Sequence, residues 1–472
     1  MDDALSIFSL SNKTKQDLIK TILTEYHSGL KNTTHDNVSR VPMLPSYVDK
    51  LLTGSEIGLF LAFDFGSTNF RVLSVKLTDD DTLINSKSTK TPAHIVKCHY
   101  TTFFKYFADC AKEFVLDCPQ IREYLVTKMG EKSINSMSEF EVLTEIDLKL
   151  GFTFSQPCKN TGLKKSEVIA MVMGYDIEGI VGKNVTEMME NALAQVGLKN
   201  IKIEAVCNDT VGTLFSAMHD HKKDDVRIGL IVGTGFNISY VEKTLEREKT
   251  VINTEVCALG SEPVSFGNLV KSRIVTKYDI AIDEARPVDQ GTYIFEKLTG
   301  GMYMGEMVRL VVVDFIESEV VKVENEKSFI KFKITKDLFD SEFLSIMETE
   351  GTDIVSAVEK YCRIQVSERS AEIIKKVCIA VVERSVGLVA SAVVATVFKI
   401  FDGEIGCEKL EISCGGDGSV FHKHPSYAKK LDIVSKELIR MDERSSRADI
   451  SVKYVGTTDG SGKGAALIVA AL

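Results

Sequence analysis

One aspartate stands at a position that suits proton transfer. The segment VCNDTVGTLF (206–215) reads as the end of an apolar strand followed by a helix that starts at Thr210. Because α/β proteins build their sites at the carboxyl ends of strands, Asn208 and Asp209 fall at such a mouth. A carboxylate there can accept the proton of a hydroxyl that attacks phosphorus. The alternative interpretation is that Asp209 or Thr210 only caps the helix.

Glycine-rich turns indicate a second kind of chemistry, the binding of phosphate groups. Gly66-Ser67-Thr68 and Gly233-Thr234-Gly235 match each other, and each triplet stands between two apolar strands. Successive glycines let several backbone N–H groups point at one anion, because φ > 0 costs glycine nothing, and hydroxyl side chains add donors. Two further turns lie in ISCGGDGSVF (412–421) and DGSGKG (459–464). The spacing of a Walker A loop is absent.

A candidate metal-organising carboxylate accompanies the first turn. Asp64 ends the incoming strand, and Arg71 lies on the outgoing strand. A carboxylate in this place can hold the water shell of Mg²⁺, which prefers oxygen ligands and keeps several waters. A single glycine hairpin would be weak support for phosphate or Mg²⁺ binding, because tight turns need glycine whatever their function.

The elements that must position these residues are strands alternating with helices. Residues 11–30 predict an amphipathic helix after a Ser cap, and residues 103–116 return to helical spacing. FLAFDFGSTNFRV and RIGLIVGTGFNISYV predict two strand–turn–strand units, and Asp79–Asp81 predicts a solvated hairpin turn. This internal repeat favours two related α/β lobes packed around a cleft.

Composition limits the class of protein. The chain has 472 residues, 44% of them hydrophobic, so it can build extensive cores. A net charge of −10 argues against a general nucleic-acid binder. The longest apolar run, 386–398, is too short to span a bilayer and predicts a buried helix.

The cysteines and the N-terminus indicate the compartment. The ten cysteines are scattered without a CxxC pair, which is typical of reduced thiols in a cytosolic protein. The acidic start Met1-Asp2-Asp3 has no apolar signal core. We therefore expect a cytoplasmic protein without a membrane span.

The motifs together resemble those of the eukaryotic hexokinase family. LAFDFGSTNFRV is similar to the family's phosphate motif LALDLGGTNFRV. The other matching segments follow in the family's order: LGFTFSQP, CNDTVGT, IGLIVGTGFN, FEKLTGGMYMGE, GDGSVFHKHPSYAK and DGSGKGAAL. The resemblance implies a two-lobed actin-like ATPase fold, with residues 60–206 plus about 460–472 in a small lobe and 1–59 plus 207–459 in a large lobe.

The resemblance also implies a role for each site residue. Asp209 would be the catalytic base that deprotonates the sugar 6-hydroxyl, and Asp64 would organise Mg²⁺. The sugar would be held by Ser155, Asn208, Asn237, Glu255 and Glu296. Phosphates and nucleotide would be held by Ser67, Thr68, Asn69, Arg71, Gly233, Thr234, Gly416, Gly418 and Ser419, while Gly460 belongs to a hinge-side turn.

The chain departs from the family pattern at several of these positions. Val172 and Met173 stand where the family carries a sugar-contacting Thr and Lys, and a methionine cannot neutralise developing charge. Tyr293 stands where a sugar-binding Gln is expected, although Gln290 is near. The remaining replacements are Ser67 for glycine, Gln156 for an aromatic residue, Met171 and Val256 for tryptophans, and Cys257 for glycine.

Two further features of the sequence, the histidine pairs and a lysine pair, each allow more than one interpretation. His219 with His221 and His422 with His424 could each offer two zinc ligands, but neither pair has a third ligand nearby in sequence. Lys164-Lys165 reads as a solvated turn, or as a replacement for the missing cation.

The sequence therefore favours an ATP-dependent hexokinase that transfers the γ-phosphate of MgATP to the 6-hydroxyl of glucose or a similar hexose, the first step of glycolysis. The alternative is a catalytically impaired sugar- or nucleotide-binding sensor or regulatory paralogue. Loss of the Thr/Lys pair favours this alternative, and retention of Asp209 opposes it.

Overall fold

The computed structural model describes residues 5–31, 41–66, 69–172, 174–243, 249–404, 406–457 and 459–472. The strands are β1 (Leu44–Pro45), β2 (Gly58–Phe65), β3 (Asn69–Leu77), β4 (Thr82–Lys90), β5 (Lys97–His99), β6 (Lys149–Phe154), β7 (Cys158–Gly162), β8 (Lys165–Val168), β9 (Asp176–Glu178), β10 (Lys202–Cys207), β11 (Val226–Val232), β12 (Phe236–Glu242), β13 (Thr250–Asn253), β14 (Lys409–Asp417) and β15 (Asp449–Gly456).

Helices surround these strands. The α-helices are α1 (Asn12–Lys31), α2 (Ala93–Val96), α3 (Tyr100–Asp117), α4 (Pro119–Met129), α5 (Glu131–Ser136), α6 (Glu139–Thr144), α7 (Val185–Gln195), α8 (Asp209–Asp220), α9 (Pro263–Lys271), α10 (Lys277–Glu284), α11 (Ile294–Thr299), α12 (Gly301–Glu317), α13 (Glu326–Ile334), α14 (Ser341–Glu348), α15 (Ile354–Cys362), α16 (Glu368–Asp402), α17 (Ser419–Lys423), α18 (Tyr427–Arg440) and α19 (Gly460–Ala471). Short 3₁₀ turns lie at Ser6–Phe8, Val256–Ala258 and Glu443–Ser446.

The chain divides into two compact units. Unit 1 consists of residues 1–43, 230–238 and 254–456, and unit 2 consists of residues 44–229, 239–253 and 457–472. This division places residues 207–229 in unit 2, whereas the sequence assigned them to the large lobe. The expected lobe boundaries stay a prediction.

Unit 2 contains a five-stranded mixed sheet in the order β10-β6-β2-β3-β4. β2, β3 and β4 form an antiparallel meander, while β6 runs parallel to β2 and to β10. The turn between β3 and β4 holds the exposed residues Asp79–Asp81, as expected from the sequence.

Aromatic side chains fill the core of unit 2. Phe65 contacts Phe103, Phe107 and Phe154, with ring centroids 5.2–5.3 Å apart. These rings belong to strands β2 and β6 and to helix α3, so the phenylalanine cluster fixes α3 against the sheet. Burial of large aromatic side chains of this kind dominates core energetics.

Unit 1 is built mainly from helices around α16. This 35-residue helix is buried along most of its length, and its predicted apolar stretch 386–398 lies inside the protein. By length and composition α16 could cross a membrane, but 83% of its most apolar 18-residue window is buried, as in the core helix of a folded protein. Inside the core, Arg384 and Asp279 form an ion pair at 2.9 Å.

The second large sheet has six strands in the order β1-β13-β12-β11-β14-β15. The division between the units runs through β11 and β12. β14 and β15 are parallel and pair from Lys409↔Asp449 to Gly416↔Gly456. Both predicted strand–turn–strand units are therefore present, at β2–β3 and at β11–β12.

Helices α8 and α19 of unit 2 touch backbone to backbone at glycines. A Cβ on Gly464 would lie 1.9 Å from the carbonyl oxygen of Gly212, and a Cβ on Gly212 would lie 2.7 Å from that of Ser461. No side chain fits in this space, so the glycines set the distance between the helices. Both helices border the residues of the candidate site.

We predict that Gly464→Ala destabilises the protein by about 1–3 kcal/mol, because the added methyl group forces the two helices apart. Urea unfolding followed by circular dichroism measures the effect. Gly267→Ala in α9 is the matched control, since a Cβ there meets no atom within 4 Å. The control should be neutral or more stable by up to about 1 kcal/mol. Equal stabilities for the two variants would contradict the prediction.

Candidate functional site

Three parallel strands of unit 2 end at one edge of the sheet and bring the candidate residues together. Asp64 pairs with Thr153 on β6, and Thr153 pairs with Cys207 on β10. The residues that follow these strands are therefore neighbours at the carboxyl edge, where α/β proteins build their sites. Ser155 follows β6 there, and its backbone N–H donates to the carbonyl of Phe65 at 3.2 Å.

Asn208, rather than Asp209 or Thr210, caps helix α8. The Asn208 side-chain oxygen accepts from the Thr210 backbone N–H at 3.0 Å and from the Thr210 hydroxyl at 2.7 Å. Asp209 is the first residue of the helix, one position earlier than the start expected from the sequence, and is half-buried. Asn208 is thus the N-cap residue, while the Asp209 carboxylate also accepts from the Thr210 N–H at 2.9 Å, and a role of Asp209 beyond the helix start stays a prediction.

A buried thiol shows that two carboxylates converge on this edge. The pKa of Cys207 is raised to about 12, mainly by burial and in part by the nearby negative charges of Asp64 and Asp209, while a hydrogen bond with Thr153 lowers it. The thiol sulfur lies 3.5 Å from the Thr153 hydroxyl oxygen. Asp64 and Asp209 thus act on one point although 145 residues separate them.

Arg71 is held between two carboxylates. Its guanidinium forms ion pairs with Asp64 and with Asp459, and it donates to the Ser461 hydroxyl at 3.2 Å. Burial alone would lower the pKa of Arg71, but the charges of Asp64 and Asp459 raise it above its ordinary value. Arg71 is therefore permanently charged, and it ties the first glycine turn to the start of α19.

The first glycine turn is only partly described. The Gly66 backbone N–H donates to the carbonyl of Asn69 at 3.1 Å, and Asn69 begins β3. Ser67 and Thr68, and also Met173, lie outside the described residues. The Gly66 N–H is thus used to close the turn.

The second glycine turn, in unit 1, lies against Glu296. The Glu296 carboxylate accepts from the Phe236 backbone N–H at 3.2 Å, and a Cβ on Gly235 would lie only 2.3 Å from it. The Gly233 N–H donates to the Gly235 carbonyl at 3.0 Å. The carbonyls of Gly233 and Thr234 accept from the first residues of α12, so the turn is fixed on that helix.

Asn237 and Glu255 form a second polar group in unit 1. The Asn237 amide donates to Glu255 at 3.1 Å, and the Cys257 thiol donates to the other carboxylate oxygen at 3.3 Å. Glu255 has φ 52°, in the left-handed region. Backbone strain of this kind persists only where the surroundings impose it, often at functional sites.

Tyr293 contributes a phenol to the same region. It has φ 49° and precedes α11, the helix that carries Glu296. Burial raises the pKa of Tyr293, and the charges of Glu255, Cys257 and Glu296 raise it further, so the phenol stays protonated. Where the resemblance expects an amide, this chain offers a hydroxyl group on an aromatic ring.

The late glycine segment packs on the second turn. A Cβ on Gly233 would lie 3.3 Å from the Cα of Gly418, and a Cβ on Gly416 would lie 2.3 Å from the Phe421 ring. Of these three glycines only Gly418, with φ 106°, has a positive φ. The others are required by close approach rather than by φ > 0, which differs from the argument made from sequence. Ser419 begins α17 and is exposed.

The lysine pair at 164–165 and the two histidine pairs each have contacts in the structure. Lys164 pairs with Glu204 at 2.5 Å, and Lys165 is exposed on β8. His219 contacts Thr82, and His422 pairs with Asp417 at 3.2 Å. In the described part of the chain no group of three or more His, Cys, Asp and Glu side chains is arranged to hold a metal ion. None of the ten cysteines, all of which lie in the described part of the chain, forms a disulfide bond, and seven are buried.

Sequence reasoning missed two residues of this site. Asp459 and Ser461 bind Arg71, and Ser461 also donates to Asp64 at 2.9 Å. Asp459 has φ 58°, in the left-handed region like Glu255 and Tyr293. Both residues lie in the segment DGSGKG (459–464), which the sequence analysis identified only as a glycine-rich turn.

The fold and the two polar groups define a member of a known family. Two family models, each described as Hexokinase, match residues 1–219 and 227–471. The chain therefore belongs to the hexokinase family, and its mixed sheets flanked by helices have the actin-like ATPase fold of that family.

Individual relatives agree with this assignment. Rat Hexokinase-2 is 32% identical over 485 residues and bovine Hexokinase-1 is 30% identical over 476 residues, each match covering the whole chain and 48% of the relative. The chain thus spans about half the length of these mammalian relatives. A hexokinase from Schistosoma mansoni, solved in complex with glucose, is similar over 100% of this chain and 98% of that one, with a TM-score of 0.79 and 28% identity.

We predict that Arg71→Met destabilises the protein by at least about 2 kcal/mol at neutral pH, because Asp64 and Asp459 lose the cation that compensates them. The loss of stability in Arg71→Met should become smaller as pH falls, since protonation of Asp64 and Asp459 removes the repulsion between the two carboxylates. Urea unfolding at several pH values measures both effects. Lys105→Met, which breaks an exposed pair with Asp109, is the control and should cost only about 0.3–0.5 kcal/mol. A pH-independent deficit would contradict the explanation.

Proposed function

We propose that the chain is an ATP-dependent hexokinase that transfers the γ-phosphate of ATP to the 6-hydroxyl of glucose or a similar hexose. The observation that carries this proposal is the half-buried Asp209 carboxylate at the carboxyl edge of the sheet of unit 2, converging with Asp64. Membership of the hexokinase family and likeness to a glucose-bound hexokinase support it.

Asp209 would act as the general base. Its backbone is fixed by the first turn of α8, and the Thr210 N–H donates to its carboxylate at 2.9 Å. A carboxylate held in this way can accept the 6-hydroxyl proton while the hydroxyl oxygen attacks phosphorus. The cap at Asn208 holds the helix start, so the position of the base does not depend on substrate.

Asn237, Glu255 and Glu296, which lie in unit 1, would recognise hydroxyl groups of the sugar. The sugar contacts that the resemblance implies for Ser155 and Asn208, which lie in unit 2, stay predictions. Amide and carboxylate groups bind vicinal hydroxyls well, and leaving such buried groups unpaired penalises sugars that lack a hydroxyl. Glu255 and Glu296 are each fixed by a hydrogen bond from Asn237 or from the Phe236 backbone. Their orientation is thus set in advance of binding.

The residues around Asp64 suit a hard cation such as Mg²⁺. Its Oδ2 atom accepts from Arg71 and from Ser461, and among the described residues no hydrogen bond reaches Oδ1. That oxygen can accept from metal-bound water, the mode that Mg²⁺ favours. When bound with ATP, the ion would neutralise charge on the phosphates; Thr234 and Ser419 add hydroxyl donors.

We expect Asp209→Ala to lower kcat by at least about 10³-fold while hexose affinity changes much less, because removal of a proton acts in the reaction step. A coupled ATP/glucose turnover measurement, with calorimetry for binding, separates the two quantities. Asp109→Ala, which removes an exposed aspartate on α3, is the control and should turn over normally. Near-normal turnover of Asp209→Ala would remove Asp209 from the mechanism.

A second candidate function is that of a catalytically impaired sugar- or nucleotide-binding sensor. The specific observation in its favour is the loss of the Thr/Lys pair at Val172 and Met173. Lys164 is a poor substitute for the missing cation, since it is already paired with Glu204. The complete set of Asp209, Glu255 and Glu296 favours the enzyme instead.

Restoring the pair as Val172→Thr/Met173→Lys should raise kcat/KM for glucose by at least about tenfold, because a cation beside the transferred phosphoryl group stabilises developing charge. If the parent chain is inactive, the restored variant should acquire turnover. Val264→Thr/Val270→Lys, at two exposed positions on α9, is a control for the added polar groups. Sugar binding without turnover in both parent and restored variant would make the sensor the better explanation.

A further inference from the structure

His424 and Glu348 face each other inside unit 1, and each has one polar atom without a bond. The His424 side chain is only 1% exposed and the Glu348 side chain 8%. The His424 Nε2 atom lies 3.7 Å from the Glu348 Oε1 atom, and neither atom has a hydrogen-bond partner among the described residues. Buried polar atoms are almost always paired, so this gap between two ionisable groups requires an explanation.

The other ring nitrogen determines where the neutral imidazole carries its hydrogen. The Ser426 backbone N–H donates to the His424 Nδ1 atom at 3.4 Å. Nδ1 is therefore an acceptor, and the hydrogen of the neutral ring is assigned to Nε2. The Nε2–H group faces the Glu348 carboxylate at a distance too long for a hydrogen bond.

The charges around the ring act in opposite directions. Glu348, at the end of α14, attracts an added proton, but its Oε2 atom already accepts from the Ser426 hydroxyl at 2.7 Å and from Lys430 at 3.0 Å. Lys430 on α18 also pairs with Glu383 of α16 at 3.5 Å. The pKa of His424 is lowered, mainly by burial and in part by the charge of Lys430, while the charge of Glu348 raises it. The ring is therefore neutral at pH 7.

Two further groups from the surrounding helices stay protonated. The ring of Tyr427, on α18, lies 6.2 Å from the His424 ring, and burial raises the pKa of this phenol. The pKa of the Cys378 thiol on α16 is also raised, mainly by burial and in part by nearby negative charge that includes Glu348. Neither group exchanges its proton between pH 5 and 8, so a proton taken up at this place goes to His424.

We propose that protonation of His424 switches residues 419–430 between two arrangements, and that nucleotide binds more weakly to the protonated one. An added proton puts a second N–H group on Nδ1, where it opposes the Ser426 N–H, so that contact must break. The same proton makes the ring a cation, which the unbonded Oε1 atom of Glu348 binds after a small movement of the ring. One buried contact thus replaces another.

The two contacts lie at a corner between α17 and α18. Ser426 directly precedes the first residue of α18. The His424 backbone N–H donates to the Val420 carbonyl in α17, the helix that begins at Ser419. A movement of residue 424 therefore reaches both helices.

The direction of the effect on nucleotide follows from the packing before α17. Gly418 has no room to adapt, because a Cβ there would lie 2.4 Å from the Val232 carbonyl oxygen. A shift of α17 therefore disturbs this packing and the position of Ser419. The effect on affinity rests on the proposed function, in which Ser419 contributes a hydroxyl donor to nucleotide.

NMR of the histidine rings and calorimetry of ATP binding between pH 5 and 8 test the proposal. In the wild type, the His424 ring and the Ser426 backbone amide should titrate with one midpoint, below the ordinary value of 6.5. Towards acidic pH, ATP affinity should fall by at least about fivefold relative to His424→Gln, whose side chain cannot become charged. Comparison with this variant at each pH cancels the protonation of ATP itself. Glu348→Gln should move the midpoint of the ring to lower pH, because the carboxylate that attracts the proton is gone.

His27→Gln is the matched control. His27 also faces a carboxylate, that of Asp402 at 3.6 Å, but its side chain is 46% exposed. The pH dependence of ATP affinity in this variant should equal that of the wild type.

The outcomes distinguish this inference from the proposed function. A wild-type His424 ring that stays neutral down to pH 5, or a Ser426 amide that does not follow the ring, overturns the inference without recourse to any variant. A ring that titrates while wild type and His424→Gln keep the same ratio of ATP affinities at every pH overturns the effect on nucleotide. A chain that binds no ATP at any pH overturns the proposed function, and the joint titration of ring and amide still decides whether the two arrangements exist.

Discussion

The charge of Arg71 is the interaction on which unit 2 depends. Asp64 stands at the end of β2 and Asp459 at the start of α19, and each carboxylate would be costly to bury without a cation between them. Arg71 supplies that cation through a rigid planar fork, which suits contact with two partners. One side chain on β3 thereby joins the first glycine turn to the last helix that the structure describes, and it bonds only Oδ2 of Asp64.

The contact between α8 and α19 connects the ion pairs of Arg71 to the position of Asp209. The backbones meet at Gly212 and Gly464, so the start of α8, where Asp209 lies, is set by packing against the helix that Asp459 begins. Thr153 on β6 reaches the same helix through the Ser461 carbonyl at 2.9 Å. The carboxylates of Asp64 and Asp209 consequently have positions determined by rigid elements, as preorganised electrostatic catalysis requires.

Much of this arrangement could be predicted from the sequence, because it depends on local patterns. The hairpin around Gly66, the helix of residues 12–31 and the strand end before Asp209 all follow from hydrophobic periodicity and turn residues. The partners of Arg71 could not be predicted, since Asp459 is 388 residues away and only folding brings it near. The reason for the glycines at 233 and 416 was also hidden: their φ angles are ordinary, and the requirement comes from backbone and ring atoms of distant segments.

The departures from the family pattern gain a physical meaning only in pairs. Read singly, Val172 is a lost hydroxyl and Gln156 is an odd polar residue in an apolar place. In the structure the two positions are in contact, because the Gln156 Oε1 atom accepts from the Val172 backbone N–H at 2.8 Å. The same holds in unit 1, where the Cys257 thiol contacts Glu255 and Tyr293 lies near both carboxylates. In unit 1 the carboxylates of Glu255 and Glu296 are retained, while residues 257 and 293 beside them differ from the family pattern, so the replaced groups lie within contact of the retained ones.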